Sequence, residues 1–164
     1  MVEKESLAWV CYTAGWWTNQ VVDASGCKTE QYEKLRRVNA EVRRIATTYM
    51  RFRNVATHFV GFDGMPDTLG ASGPFRSIKA MDGKPLLVGE MKPRGDAVRE
   101  HALFVVAADD PYDRQCISRN IRVDVRCCIG VVGCDGPISV KRGGDGMFTI
   151  PLRSNQAILL LASF

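Results

Sequence analysis

Residues 29–52, TEQYEKLRRVNAEVRRIATTYMRF, form the stretch that decides the fold. Apolar residues recur in it at steps of three or four, the period of an α-helix with one apolar stripe. Charged side chains such as Arg36, Arg37 and Glu41 fill the other side of this helix. The pattern predicts one long amphipathic helix whose stripe is buried, and the stripe consists of Tyr32, Leu35, Val38, Val42, Ile45, Ala46, Tyr49 and Phe52.

The two sides of this helix support further expectations. Thr29 is a candidate N-cap residue, and Glu30 lies in the first turn, where the helix dipole favours a negative charge. We interpret the arginine-rich side as a solvated helix surface. A patch for a protein partner or a nucleic acid is the alternative.

From residue 55 onward the pattern changes to short apolar runs separated by turn residues. Asp82-Gly83 lies between two such runs and predicts a hairpin. HALFVVAAD (residues 101–109) is typical of a central strand, and RNIRVDVR (residues 119–126) alternates like a half-exposed strand. The sequence therefore predicts a mainly β protein, an Ig-like antiparallel β-sandwich preceded by one long amphipathic α-helix. Residues 1–53 would form a strand–loop–helix segment and residues 54–164 the sandwich domain.

Composition excludes several classes of protein. The formal net charge of +4 is mild, and neither an RNP-like nor a zinc-finger pattern occurs, so we expect no nucleic-acid partner. No apolar run reaches the roughly 18 residues of a membrane span, and the start lacks the features of a signal peptide. We therefore expect no membrane partner, and either a cytoplasmic protein or a piece of a longer one. The compartment stays open.

Cysteine and histidine spacing gives little sign of metal chemistry. No CxxC pair occurs, and the chain has only two histidines, His58 and His101. We expect both histidines to be structural, no metal site and no cofactor. We expect the cysteines to be free and mostly buried thiols; they are Cys11, Cys27, Cys116, Cys127, Cys128 and Cys134.

Two loops could be mistaken for ion sites. Asp109, Asp110 and Asp113 form an acidic cluster that suits a turn better than a calcium site, because the EF-hand spacing is absent. Residues 143–146, GGDG, precede a strand-like run rather than the helix that a phosphate loop requires, so they predict a hairpin turn.

Tyr12, Trp16 and Trp17 are the candidate ligand-binding residues. Flat aromatic faces suit sugar rings, because axial C–H groups pack on the ring. The alternative is that these side chains fill a gap between helix and sandwich, as large aromatics usually do. No residue of the chain is a candidate for catalysis.

Two segments resemble parts of known enzymes. WVCYTAGWWTNQVVDASGCKTEQYEKLRRVNAEVRRI (residues 9–45) resembles the last strand, loop and helix of TIM-barrel glycoside hydrolases of the β-galactosidase-like type. Residues 102–164, from ALFVVAADDPYD to AILLLASF, resemble the β-sandwich that follows such barrels.

The resemblance implies a non-catalytic, accessory C-terminal portion of a glycoside hydrolase-like protein, because those enzymes carry their two catalytic carboxylates on earlier barrel strands. It implies that Tyr12, Trp16 and Trp17 lie near the mouth of a barrel, where substrates bind. The expected partners are the upstream catalytic barrel, or a second copy through self-association, with carbohydrate as a possible ligand. A stand-alone carbohydrate-binding module and a protein-interaction domain are the alternatives.

Overall fold

The helix of the computed structural model is slightly shorter than its sequence pattern. The structure describes residues 21–23, 25–65, 69, 73–95, 100–109, 118–154 and 156–163. Helix α1 spans Glu30–Tyr49, directly after Thr29, and is the only helix in the described part of the chain. Phe52 does not end this helix, as the apolar spacing predicted, but opens the first strand and is buried there.

The strands follow the helix in nine segments among the described residues. They are β1 (Phe52–Val60), β2 (Phe75–Ala80), β3 (Leu86–Pro93), β4 (Glu100–Ala107), β5 (Ser118–Val125), β6 (Ile129–Gly133), β7 (Gly136–Ile138), β8 (Phe148–Arg153) and β9 (Ala157–Ser163). They form a six-stranded sheet of order β1-β3-β4-β9-β6-β7 and a three-stranded sheet of order β2-β5-β8. Every pairing is antiparallel. The predicted mainly β class, an antiparallel sandwich that follows one helix, is confirmed.

The turn at Asp82 and Gly83 corrects one prediction. Gly83 has a φ of +71°, and the Asp82 carboxylate accepts the Lys84 N–H at 3.1 Å, so the predicted turn is present. Its flanking strands β2 and β3 nevertheless belong to different sheets, so they do not pair as a hairpin. The turn carries the chain from one sheet to the other because both strands bury apolar residues in the core between the sheets.

Strand alternation builds that core. On β5 the side chains of Ile121, Val123 and Val125 are buried and the intervening residues are not, as predicted. Strand β4 lies between β3 and β9 in the larger sheet, also as predicted, and its Leu103 and Val105 are fully buried. Burying these side chains contributes about 1.5–3 kcal/mol each.

A β-bulge at Val55 changes which face of the sheet the alternate side chains of β1 occupy. Asn54 pairs with Met91 and Ala56 with Glu90, so one residue of β1 is extra. Such an extra residue shifts the side chains after it to the other face of the sheet. Phe52 therefore packs on the outer face, with Met91, while Val60 joins the core between the sheets.

The last turns of α1 pack on this outer face. Ile45 and Tyr49 lie in one apolar cluster with Phe52, Met91, Ala102 and Leu159. The rings of Tyr49 and Phe104 meet edge to face, with centroids 5.2 Å apart. Arg44 also donates to the Cys134 carbonyl at 2.9 Å, so this end of the helix is fastened by polar as well as apolar contacts.

The chain divides into two compact units, Met1–Arg43 and Arg44–Phe164, and the division falls within α1. The described part of the first unit contains a tight turn before the helix. The Asp23 carboxylate accepts the backbone N–H groups of Ser25 and Cys27 at 2.9 and 2.8 Å. Hydrogen bonds from the Ser25 hydroxyl and the Cys27 backbone lower the pKa of Asp23. A bridge between Val22 and Lys28 closes the turn.

Candidate functional site

The apolar stripe of α1 is largely uncovered. Ile45 is the only buried residue of the helix, whereas Val38 is 51% and Val42 57% exposed. The prediction of a continuous buried stripe is therefore wrong. Helical spacing establishes which residues share a face, but it contains no information on whether another element covers that face.

Farther toward the N-terminus of α1 a shallow cavity lies within the first unit. Val21, Tyr32 and Leu35 contribute its apolar part, and Asn39 and Arg43 line it as well. Its volume is about 400 Å³. Val21 is buried, and Tyr32 and Leu35 are partly buried, so the stripe regains some cover before Val38.

A carboxyl group lies at one end of the sandwich core, which we call the histidine end (His58, Glu90 and His101). Glu90 follows Leu86 and Val88 on the inward side of β3 and is only 9% exposed. Its Oε2 lies 3.3 Å from Nε2 of His58. Gly73 lies beside both Glu90 and His101, because a Cβ at Gly73 would be 3.6 Å from Glu90 Oε1 and 3.9 Å from His101 Nδ1.

The environment of the histidine end alters the pKa of one histidine but shows no metal geometry. Burial and the nearby Lys92 lower the pKa of His101, and Glu90 acts in the opposite direction. No group of three or more metal-ligating side chains occurs in the residues that the structure describes. The contact with Glu90 fits the structural role expected of His58.

The opposite end of the core, which we call the arginine end (Asp82, Asp109 and Arg119), also contains charged side chains. The Arg119 side chain is 1% exposed and donates a hydrogen bond to the Asp109 carboxylate, while its Nε lies 3.4 Å from Asp82. Asp109 is the first residue of the acidic cluster that was predicted to form a turn, and its carboxylate binds the Arg119 guanidinium. Asp110 and Asp113 lie outside the described residues. Such buried pairs hold elements in register, because either charge alone would be costly to bury.

The outer side of the three-stranded sheet is a basic face, formed by Arg76, Lys79, Arg122, Arg126 and Arg153. The alternation of β5 turns Arg122, Asp124 and Arg126 away from the core, as predicted. Arg122 lies opposite Lys79 of β2 on one side and opposite Thr149 of β8 on the other. A polar cleft of about 610 Å³ lies at one end of this face, lined by Arg76, Asp124, Val125, Arg126, Arg142, Asp145, Gly146 and Met147.

The predicted turn at residues 143–146 forms one wall of this cleft. Gly143 donates to the Met147 carbonyl at 2.8 Å, and Arg142 and Phe148 form an antiparallel bridge across the turn. A strand and not a helix follows, so the predicted turn is present. The strands on either side of it, β7 and β8, belong to different sheets, so the turn joins its two sides through the single bridge and not through a paired hairpin.

The remaining predicted residues have mixed outcomes. Tyr12, Trp16 and Trp17 lie outside the described residues, so their role stays a prediction. The described cysteines are free, but the expectation that they are mostly buried is wrong, since Cys27 and Cys128 are exposed and Cys127 and Cys134 partly buried. They lie in turns and at strand ends, where a small side chain need not enter the core. Burial raises the pKa of the Cys127 thiol, and Arg142 opposes that rise.

Sequence reasoning missed both charged ends of the core. A signal for Glu90 was present, because it occupies an inward position in an alternating strand; the same holds for Arg119 on β5. Their partners come from distant parts of the chain, so no local pattern connects them.

Comparisons with protein families, with curated proteins and with solved structures find no match for this chain. Among the described residues no helix has the length and apolar character needed to cross a membrane. The function must therefore be argued from the surfaces described above.

Proposed function

We propose that this chain is a non-catalytic, structural portion of a glycoside hydrolase-like protein, in which a β-sandwich follows a catalytic barrel. The observation that carries the proposal is the uncovered stripe of α1 at Val38 and Val42. Helices in proteins gain most of their stability from packing an apolar face, so an exposed stripe on a long helix favours a neighbour that covers it.

The resemblance of residues 9–45 to the end of a barrel supplies the identity of that neighbour. In such enzymes the last helix packs against the outside of the barrel, and the chain then continues into the sandwich. The helix observed here leads directly into β1, and its last turns, at Ile45 and Tyr49, pack on the larger sheet. This arrangement suits a helix that serves two neighbours, with its C-terminal end on the sandwich and its middle on the barrel.

The buried carboxyl groups support a non-catalytic role. Glycoside hydrolysis requires two carboxyl groups that face each other across the bond to be cleaved. Among the described residues, Glu90 instead contacts His58, and Asp109 is bound by Arg119. Asp82, the second carboxylate of the arginine end, contacts the same guanidinium.

The test is whether the stripe binds apolar surface. We expect the purified chain to self-associate, because a second copy is the only apolar partner available in a pure sample. The double substitution Val38→Asp and Val42→Asp should shift sedimentation toward the monomer and leave the β-sheet circular dichroism unchanged.

The double substitution Arg36→Ser and Arg37→Ser, on the polar side of the same helix, is the matched control and should leave association unchanged. Loss of the sandwich in the valine variant would contradict the proposal, since those side chains would then belong to its core. So would a wild-type monomer. Hydrolysis of a nitrophenyl glycoside that disappears in Glu90→Gln would overturn the non-catalytic role itself.

A further inference from the structure

The basic face carries more positive than negative side chains and is open to solvent. Arg76, Lys79, Arg126 and Arg153 are exposed, and Arg122 is partly exposed. The carboxylates beside them are Asp124, which is 4.0 Å from Arg76, and Asp145, which accepts a hydrogen bond from Arg122. Asp135 lies 3.7 Å from Arg153. These carboxylates do not neutralise the whole face. The side chain of Arg126 has no ion-pair partner in the described part of the chain.

The walls of the cleft at the end of this face are held in place. Asp145 accepts the Met147 N–H at 3.0 Å in addition to its bond from Arg122. The Arg142 guanidinium donates to the carbonyls of Val125 and Cys127 at 3.0 and 2.9 Å and lies 5.0 Å from the Phe148 ring centroid. A ligand in the cleft would therefore meet prepositioned side chains at Asp145 and Arg142, which reduces the entropy lost on binding.

We propose that the basic face and its cleft bind an acidic polysaccharide that carries carboxylate groups, such as a polyuronate. The planar guanidinium groups of Arg76 and Arg126 match a carboxylate in size and geometry and bind it with two parallel hydrogen bonds. Asp124 and Asp145 are acceptors that suit sugar hydroxyl groups. A chain of acidic sugars presents both kinds of group along its length.

A nucleic acid fits this face less well. Phosphate oxygens accept hydrogen bonds, as Asp124 and Asp145 do, and a DNA strand lacks sugar hydroxyl groups along its length that could donate to these carboxylates. Single-stranded nucleic acids also bind through stacking on aromatic side chains, and the outward residues described on this sheet, such as Ser77, Asn120 and Thr149, are not aromatic. The basic face belongs to the sandwich alone, so this binding would be retained if α1 docked against no neighbour.

The experiment measures binding of the full chain to polygalacturonate by calorimetry, with a neutral galactan and a DNA duplex as competing probes. We expect binding to polygalacturonate that weakens as salt is raised, since the charges are exposed to solvent. The double substitution Arg76→Ser and Arg126→Ser should weaken it at least about tenfold, because charge-assisted hydrogen bonds are lost. The circular dichroism and melting temperature of that variant show whether it is folded.

The control variant carries Arg36→Ser and Arg37→Ser on α1, which removes the same charge elsewhere and should leave binding unchanged. Equal weakening in this control would reduce the effect to net charge and overturn the site. Equal affinity for neutral galactan, or no binding to polygalacturonate, would also overturn it. Tighter binding to DNA that is lost in the Arg76 and Arg126 variant would replace the acidic polysaccharide with a nucleic acid.

Discussion

The sandwich and the helix have equally clear apolar patterns in the sequence, yet the sandwich buries its pattern and the helix does not. Leu86, Val88 and Leu103 are fully buried between the sheets, whereas Val38 and Val42 on α1 are more than half exposed. The difference lies in where the covering surface comes from. Each sheet covers the other within one unit, but the middle of the helix depends on a surface that the described residues do not provide.

The charged side chains of the sandwich and of the helix also differ in how they are paired. In the sandwich, both ends of the core are closed by charged side chains that find partners across strands, as Arg119 does with Asp109. In the first two turns of the helix, by contrast, the ion pairs are local and exposed, namely Lys34 with Glu30 at 2.8 Å and Arg36 with Glu33 at 2.7 Å. Exposed pairs of this kind stabilise a helix little, because water and salt screen them.

The largest effect should come from breaking the arginine end. Arg119→Met leaves Asp109 buried without its cation, and we expect a loss of about 3–5 kcal/mol in the free energy of unfolding. Urea denaturation measures it. Arg153→Met is the matched control on the same sheet. Arg153 is 59% exposed, and its ion-pair partner Asp135, at 3.7 Å, is exposed as well. Its loss should stay below about 1 kcal/mol. Similar losses for both would show that the arginine end is not a buried charge site.

These outcomes mark what the sequence could predict. The alternation at Ile121, Val123 and Val125 specified both faces of β5, since a strand's side chains must alternate. The Asp82-Gly83 turn was predictable, but the assignment of its two strands to different sheets was not, because turn chemistry is local and sheet order is not. For the same reason Arg119 could be placed inward, but its partners could not be identified.

The candidate sites divide in the same way. The outward positions of Arg122, Asp124 and Arg126 followed from alternation, whereas the cleft also needs Arg76 from another strand and Asp145 from a distant turn. The helical stripe from Tyr32 to Tyr49 does lie on the helix, but its continuous burial was wrong and so was the inclusion of Phe52, which opens β1. In each case the sequence predicted which way a side chain points, whereas the tertiary structure determines which residues it contacts.

A pair of substitutions on α1 should give the next largest effect and tests the boundary between its covered and uncovered parts. Ile45→Ala removes a buried side chain from the cluster with Phe52 and Met91, and we expect a loss of about 2 kcal/mol or more. Val42→Ala removes an exposed side chain and should change stability by less than about 0.5 kcal/mol. Thermal unfolding of both variants provides the measurement. A large loss at Val42 would mean that the helix is covered farther along than its exposure indicates.

The smallest effect should be a pH dependence confined to the histidine end. Both histidines of the chain lie there and none lies on α1. Mild acid should therefore change the charge of histidine in the sandwich and not on the helix. Burial, assisted by Lys92 and opposed by Glu90, lowers the pKa of His101 in the folded protein below its ordinary value of 6.5. The unfolded chain therefore takes up this proton first, and the free energy of unfolding should decrease as pH falls below about 6.5.

Urea titrations at several pH values measure the slope of the free energy of unfolding against pH, and His101→Gln should reduce this slope because the titrating group is gone. His58 contacts Glu90 in the same cluster, so His58→Gln is the control for a general effect of removing an imidazole. An unchanged slope in His101→Gln would show that the protonation of His101 is not coupled to folding.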